Sequence, residues 1–227
     1  MIHSSASWRT LWKRGGPALV MAALMLVPPA PRAAAAVTVR FEGHGAFFSR
    51  ETNQPAPVDP QVFVRSSDAP AAAGPQNIPH AAGFVPAPLA APPPTPLYNA
   101  EGRPLAATLG RWLGAAGEAT VGPAGDPRHA DRVSAAFTGL IPGGLYSLFT
   151  VTFGPSGSTF APLDGAGLHH NFVALGNGTG RATVLTPISL THANAIVLVY
   201  HSDGETHGTS RGTPGVTAHH QLIARIP

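Results

Sequence analysis

Apolar and polar residues alternate at the start of "VTVRFEGHGAFFSR", residues 37 to 50: Val37, Val39 and Phe41 fall on one face, Thr38 and Arg40 on the other. A period of two predicts a strand with one buried side. "LYSLFTVTF" repeats the pattern, setting Phe149, Val151 and Phe153 against Leu148, Thr150 and Thr152. "AIVLVYH" is apolar on both faces, which predicts a central strand covered on both sides. Strands are predicted over 105–109, 117–121, 132–138, 145–153, 171–175, 180–186, 195–201 and 217–226, most of them separated by Gly, Pro, Asn or Asp. "LAATLGRWLGAAGEA" is ambiguous, and its glycines weigh against a helix. Many short strands at regular spacing predict an all-β fold, an antiparallel β-sandwich of immunoglobulin-like or related Greek-key type.

Proline interrupts this pattern. Residues 55–104 hold 13 of the 25 prolines, and a stretch so poor in N–H donors is expected to sustain neither ladder nor helix. It reads as an extended segment, loose or draped over the domain. The expected organisation is a leader over 1–36, a first strand region over 37–54, the Pro/Ala-rich segment over 55–104 and the main sandwich over 105–227.

The leader changes the charge. Arg9, Lys13 and Arg14 precede the apolar run "ALVMAALMLV", prolines follow it, and "AAAA" at 33 to 36 supplies small residues before a cleavage expected ahead of Val37. This is the pattern of a secretory signal peptide. The run is about half the roughly 20 residues that span a bilayer, so no stable membrane span is expected after cleavage. Cleavage leaves 10 basic against 11 acidic residues, a net charge of −1, and removes the support for a nucleic-acid partner. It also removes all three methionines from a chain without cysteine. Disulfides, thiol catalysis and thioether copper(I) sites are thereby excluded.

"LIPGGLY", Leu140 to Tyr146, lies between two predicted strands and fits L-x-P-G-x-x-Y. It resembles the tyrosine corner of fibronectin type III and immunoglobulin-like domains, which implies that the Tyr146 hydroxyl bonds back to upstream backbone across a turn carrying Pro142 and Gly143. The resemblance covers seven residues and their flanking strands. The C-terminal half, from "FTGLIPGGLYSLF" through "LTHANAIVLVYHSDGETHG" to "GVTAHHQLIARIP", also resembles a group of uncharacterised exported bacterial β-sandwich proteins. That likeness implies export, to the periplasm or beyond the cell, and a β domain; it transfers no activity.

The chemistry concentrates in "VYHSDGETHGTSRGTPGVTAHHQL", residues 199 to 222. A hairpin of the last two strands brings His201 near His219 or His220, with Asp203, Glu205 and His207 on the connecting loop folding back over them. Strict alternation places Ala218, His220, Leu222, Ala224 and Ile226 on one face and His219, Gln221 and Arg225 on the other, so His219 and His220 cannot share a site. Imidazoles with a carboxylate suit zinc or copper(II). The competing reading is a solvated hairpin rich in histidine. His44, between two glycines, is expected to mark a turn or bulge.

Other chemistries find little support. "GPSGS" at 154 to 158 lacks the G-x-S-x-G spacing of a serine hydrolase, the carboxylates of Asp203 and Glu205 are poorly placed for a glycosidase, and no lysine follows Lys13. A carbohydrate-binding module needs exposed aromatics, for which Trp112 and Tyr98 are the candidates. The expectation is an exported, non-catalytic binding or structural module of the cell envelope, with an envelope or extracellular partner. The alternative is a periplasmic zinc- or copper(II)-binding protein using the histidine-rich loop.

Overall fold

The computed structural model describes residues 35–227. All but the last two residues of the expected signal peptide lie outside the described residues. The first half of the fold comprises β1 (Val37–Arg40), β2 (Glu42–Gly43), α1 (His44–Glu51), β3 (Val58–Arg65), β4 (Ala72–Ala73), β5 (Pro79–His80), β6 (Phe84–Pro88), β7 (Pro96–Tyr98) and β8 (Pro104–Thr108). There follow α2 (Leu109–Leu113), β9 (Ala116–Pro123), β10 (Asp131–Thr138), β11 (Leu145–Gly154), β12 (Gly157–Pro162), β13 (Asn171–Val173), β14 (Gly180–Thr186), β15 (Asn194–His201) and β16 (Ala218–Arg225). No helix among the described residues is long and apolar enough to cross a membrane.

The fold is an all-β sandwich of antiparallel sheets packed together. A first sheet runs β1-β9-β10-β14, a central sheet β12-β11-β15-β16-β2 with β13 also on β11, and a third sheet β6-β3-β7-β8. One core unites them: Val121, Val133 and Phe137 of the first sheet meet Leu148, Ile196, Leu198 and Tyr200 of the central sheet, and Val62, Leu97 and Trp112 close it from the side of the third. Each such side chain withdrawn from water contributes about 1.5–3 kcal/mol before the chain entropy is subtracted. All eight residues of β15 are buried, as its doubly apolar run predicts. Its second face lies under Phe47 of α1 and beside Phe149, Val151 and Ile223.

Sequence pattern and structure part company in three places. The alternation from Val37 stops at Gly43, and "HGAFFSRE" forms α1 instead of extending the strand. His44 therefore opens a helix; it does not mark a bulge. The reason is contact: His44, Gly45, Phe47 and Ser49 are buried, and Gly45 lies so close to β3 that a Cβ there would sit 3.0 Å from the Asp59 Cα.

The proline-rich segment does build ladders. β6 and β8 form the two edges of the third sheet, where a missing N–H costs least. Pro60, inside β3, falls at a break in register between Asp59 and Phe63. That break turns Gln61 toward β16, where its carbonyl accepts from His219 Nδ1 at 2.8 Å and its Oε1 accepts from the His220 N–H at 2.8 Å.

The ambiguous stretch divides into β8, the five-residue α2 and β9. Trp112 in α2 is 2% exposed, so it offers no platform to a sugar, and the carbohydrate-binding reading loses its main aromatic.

The turn before β11 is tied as its motif predicts. The Tyr146 hydroxyl, fully buried, accepts a hydrogen bond from the Ile141 N–H at 2.9 Å. Pro142 lies in the bend, and the Gly143 N–H donates to the Ala174 carbonyl at 3.0 Å.

Candidate functional site

The central sheet aligns Leu145, His201 and Ala218 across β11, β15 and β16. His201 ends its strand facing the side of the sheet that carries Val199 and Ala218, away from the sandwich core. There its Nε2 lies 2.8 Å from the Ser147 hydroxyl on the neighbouring strand. Its Nδ1 is buried and has no hydrogen-bond partner.

The chain then turns sharply. The Ser202 N–H donates to the Thr217 carbonyl at 2.9 Å and the Gly204 N–H to the His201 carbonyl at 3.3 Å. Asp203 accepts from the Glu205 N–H at 3.2 Å, a local turn that aspartate favours. This reversal brings the His207 ring over His201, with centroids 5.5 Å apart, and His207 Nε2 within 3.1 Å of the Asp203 carboxylate. One ligand atom each from His201, Asp203 and His207 lies within 4.8 Å of the other two.

A second loop supports the first. The Asp164 carboxylate accepts from the backbone N–H groups of Ala166, Gly167, Leu168 and His169 at 2.6–3.2 Å. Burial alone would raise its pKa, but these donors outweigh burial and hold it below the usual carboxylate range. The loop so formed packs Gly167, at φ +76°, against Gly208; a Cβ at 167 would meet the Gly208 carbonyl carbon at 2.4 Å. It also delivers His170, whose ring lies edge-on to Phe149 at 5.0 Å and whose buried Nδ1 has no hydrogen-bond partner.

Burial depresses the pKa of His201 to about 4, with the nearby imidazoles of His207 and His170 pushing the same way and Asp203 opposing. The ring is therefore neutral at physiological pH, the state a cation requires of an imidazole ligand. In the tautomer whose Nε2–H donates to the Ser147 hydroxyl, the free lone pair is on Nδ1. A hydrogen-bonded second nitrogen that fixes tautomer and ring angle is the usual support of a metal-bound histidine.

The remaining predicted residues go elsewhere. Glu205 is exposed and touches Asp203 only through its backbone. His219 faces the core: Nδ1–H donates to the Gln61 carbonyl, Nε2 lies 3.0 Å from the Ser202 hydroxyl, and Trp112 and Tyr200 flank the ring. Both its nitrogens are engaged. His220 faces the other side and lies with His44 and Arg211, its Nδ1 3.4 Å from His44 Nε2 and its Nε2 2.9 Å from the Arg211 guanidinium.

The separation of His219 and His220 follows the alternation, but the faces do not. Leu198 pairs with Leu222 and Val199 with His220, leaving Gln221 as an extra residue in β16. This bulge puts His219 on the same side as Leu222 and His220 opposite it, the reverse of strict alternation. His44 and Arg211 were not picked out as site residues by spacing in the sequence; His44 is brought in by α1, and Arg211 lies in the loop between β15 and β16.

No family model, curated protein or solved structure matches this chain. What the loop does has to follow from its own chemistry: two imidazoles and a carboxylate at one point, with a third imidazole behind.

Proposed function

We propose that the protein is an exported, non-catalytic binding module of the cell envelope whose ligand is zinc or copper(II). The supporting observation is the approach of one ligand atom each from His201, Asp203 and His207 to within 4.8 Å of one another. The 3.1 Å between His207 Nε2 and the Asp203 carboxylate matches the roughly 3.3 Å edge of a tetrahedron with metal–ligand bonds near 2.0–2.1 Å. Nitrogen and oxygen donors without sulfur favour zinc and copper(II) over copper(I). Three protein ligands leave a fourth position for water.

Calorimetric titration of chelator-stripped protein with zinc and with copper(II) at pH 7.5 tests this. Saturable uptake of one ion per chain, lost in the double variant Asp203→Ala, His207→Ala, is the expected result. Both residues are part-exposed, so the fold survives their loss. Equal heats from the variant and the unaltered protein would overturn the proposal.

A further inference from the structure

A second cluster on the same side of the central sheet has different chemistry. His44 at the start of α1, His220 in β16 and Arg211 in the loop between β15 and β16 line a cavity of about 450 Å³, together with Gln61, Gln76 and Phe160. An adjoining cavity of about 370 Å³ shares His44, Gln76 and Phe160 and is otherwise mostly apolar, walled by Phe47, Phe153 and Val197 among others. Cavities of this size hold small organic molecules.

The polar half is made of donors. Arg211 always donates, so His220 Nε2 accepts its N–H at 2.9 Å and the His220 proton sits on Nδ1. That proton points to His44 Nε2 at 3.4 Å, which places the His44 proton on Nδ1. The His44 Nδ1–H is buried and has no acceptor. Gln76, which also lines the cavity, spends its carbonyl on the Gln61 amide at 2.8 Å.

Arg211 lies flat on Phe160, its guanidinium carbon 3.5 Å from the ring centroid. No carboxylate among the described residues lies within ion-pair distance of it, and no acidic residue lines the cavity that it enters. Glu51 is the one acid in the adjoining cavity; it is exposed and pairs with Arg50 at 3.7 Å. A half-buried cation without a counter-ion, and a buried N–H without an acceptor, are each costly. A carboxylate seated on Arg211 relieves the first.

We infer that this double cavity binds a small carboxylate with an apolar body, its carboxylate on Arg211 and its body among Phe47, Phe153, Phe160 and Val197. Both His44 and His220 are held neutral by burial, so the net charge presented to the ligand is that of Arg211 alone. That matches a monoanion.

The full chain is titrated calorimetrically with sodium octanoate and with 3-phenylpropanoate at pH 7.5, in the presence of a chelator so that metal uptake does not contribute. Saturable binding of one molecule per chain is expected for at least one of them. Octanol, which lacks the charge, and acetate, which lacks the body, should each bind at least tenfold more weakly. Arg211→Gln should weaken octanoate binding by a similar factor while leaving metal uptake at Asp203 and His207 intact. Octanol binding as tightly as octanoate, or no saturable binding of either carboxylate, overturns the inference. The comparison of ligands on the unaltered protein decides the matter even where Arg211→Gln fails to fold. Metal uptake, read in a separate titration, stands or falls independently.

Discussion

The indole N–H of Trp112 donates to the carboxylate of Asp59 at 2.8 Å, and the two residues are 2% and 1% exposed. The bond fastens α2, just beyond the proline-rich segment, to β3 near that segment's start. Burial pushes the Asp59 carboxyl up to about 6, while the Gln61 and Val62 N–H groups and the indole restrain the rise. Trp112→Phe removes one restraining donor and leaves the acid buried. The expected cost is about 2–3 kcal/mol at pH 7.5, read from the urea midpoint. The loss should shrink toward pH 5, where a protonated Asp59 no longer needs the indole. A loss that is the same at both pH values would mean that packing, not the hydrogen bond, carries the effect.

Five buried histidines, His170 among them, have depressed pKa values and make the fold sensitive to acid. Folded pKa values near 3 for His44 and near 4 for His201 and His219, with His220 well below 6.5, compare with 6.5 for the exposed side chain. Below pH 6.5 the unfolded chain takes up protons that the folded chain refuses, so stability is full above that pH and is lost as pH falls toward 4. Asp59 acts in the opposite direction: between 3.8 and about 6 the folded state keeps a proton that the unfolded state has lost. One opposing group against five leaves a net loss. Each proton bound only by the unfolded chain adds about 1.4 kcal/mol per pH unit to the slope. Urea midpoints of the chelator-treated protein at pH 7.5, 6.0 and 5.0 should fall in that order; a flat profile would mean that these rings are solvated in the folded protein.

Tyr146→Phe leaves the Ile141 N–H without its acceptor in a buried turn. Loss of about 1–3 kcal/mol is expected, with no change in metal uptake. A neutral substitution would show that water replaces the hydroxyl.

Gly167→Ala separates two loops that the site needs together. The added methyl meets Gly208 and the residue keeps an unfavourable positive φ. Metal affinity should fall about tenfold or more while the ladder between β1 and β9, in another sheet, keeps the same protection from amide exchange. Unchanged affinity would show that the 164–170 loop is not a support of His207.

Much of this was legible in the residues. The strands from 105 onward, β12 excepted, follow from alternation and turn residues, and the double burial of β15 from its unbroken apolar run. The gathering of His201, Asp203 and His207 was legible because all three lie at or just beyond the end of one predictable strand. Residues 55–104 were opaque because proline content is blind to position: Pro86 and Pro88 at an edge, and Pro60 at a bulge, remove no ladder bond that the sheet requires. The facing of β16 was lost to a single extra residue, since a bulge leaves no mark on composition and inverts every side chain beyond it. The Arg211, His220 and His44 chain joins residues up to 176 positions apart, which no local pattern encodes.

The borders of the third sheet have a further consequence. β6 carries Pro86 and Pro88, and β8 opens on Pro104, so these outer strands lack several of the donors with which a neighbouring molecule would extend the sheet. A chain with no disulfide to lock it has in its prolines a means of staying dispersed when crowded, because a second copy finds little to hydrogen-bond along those margins.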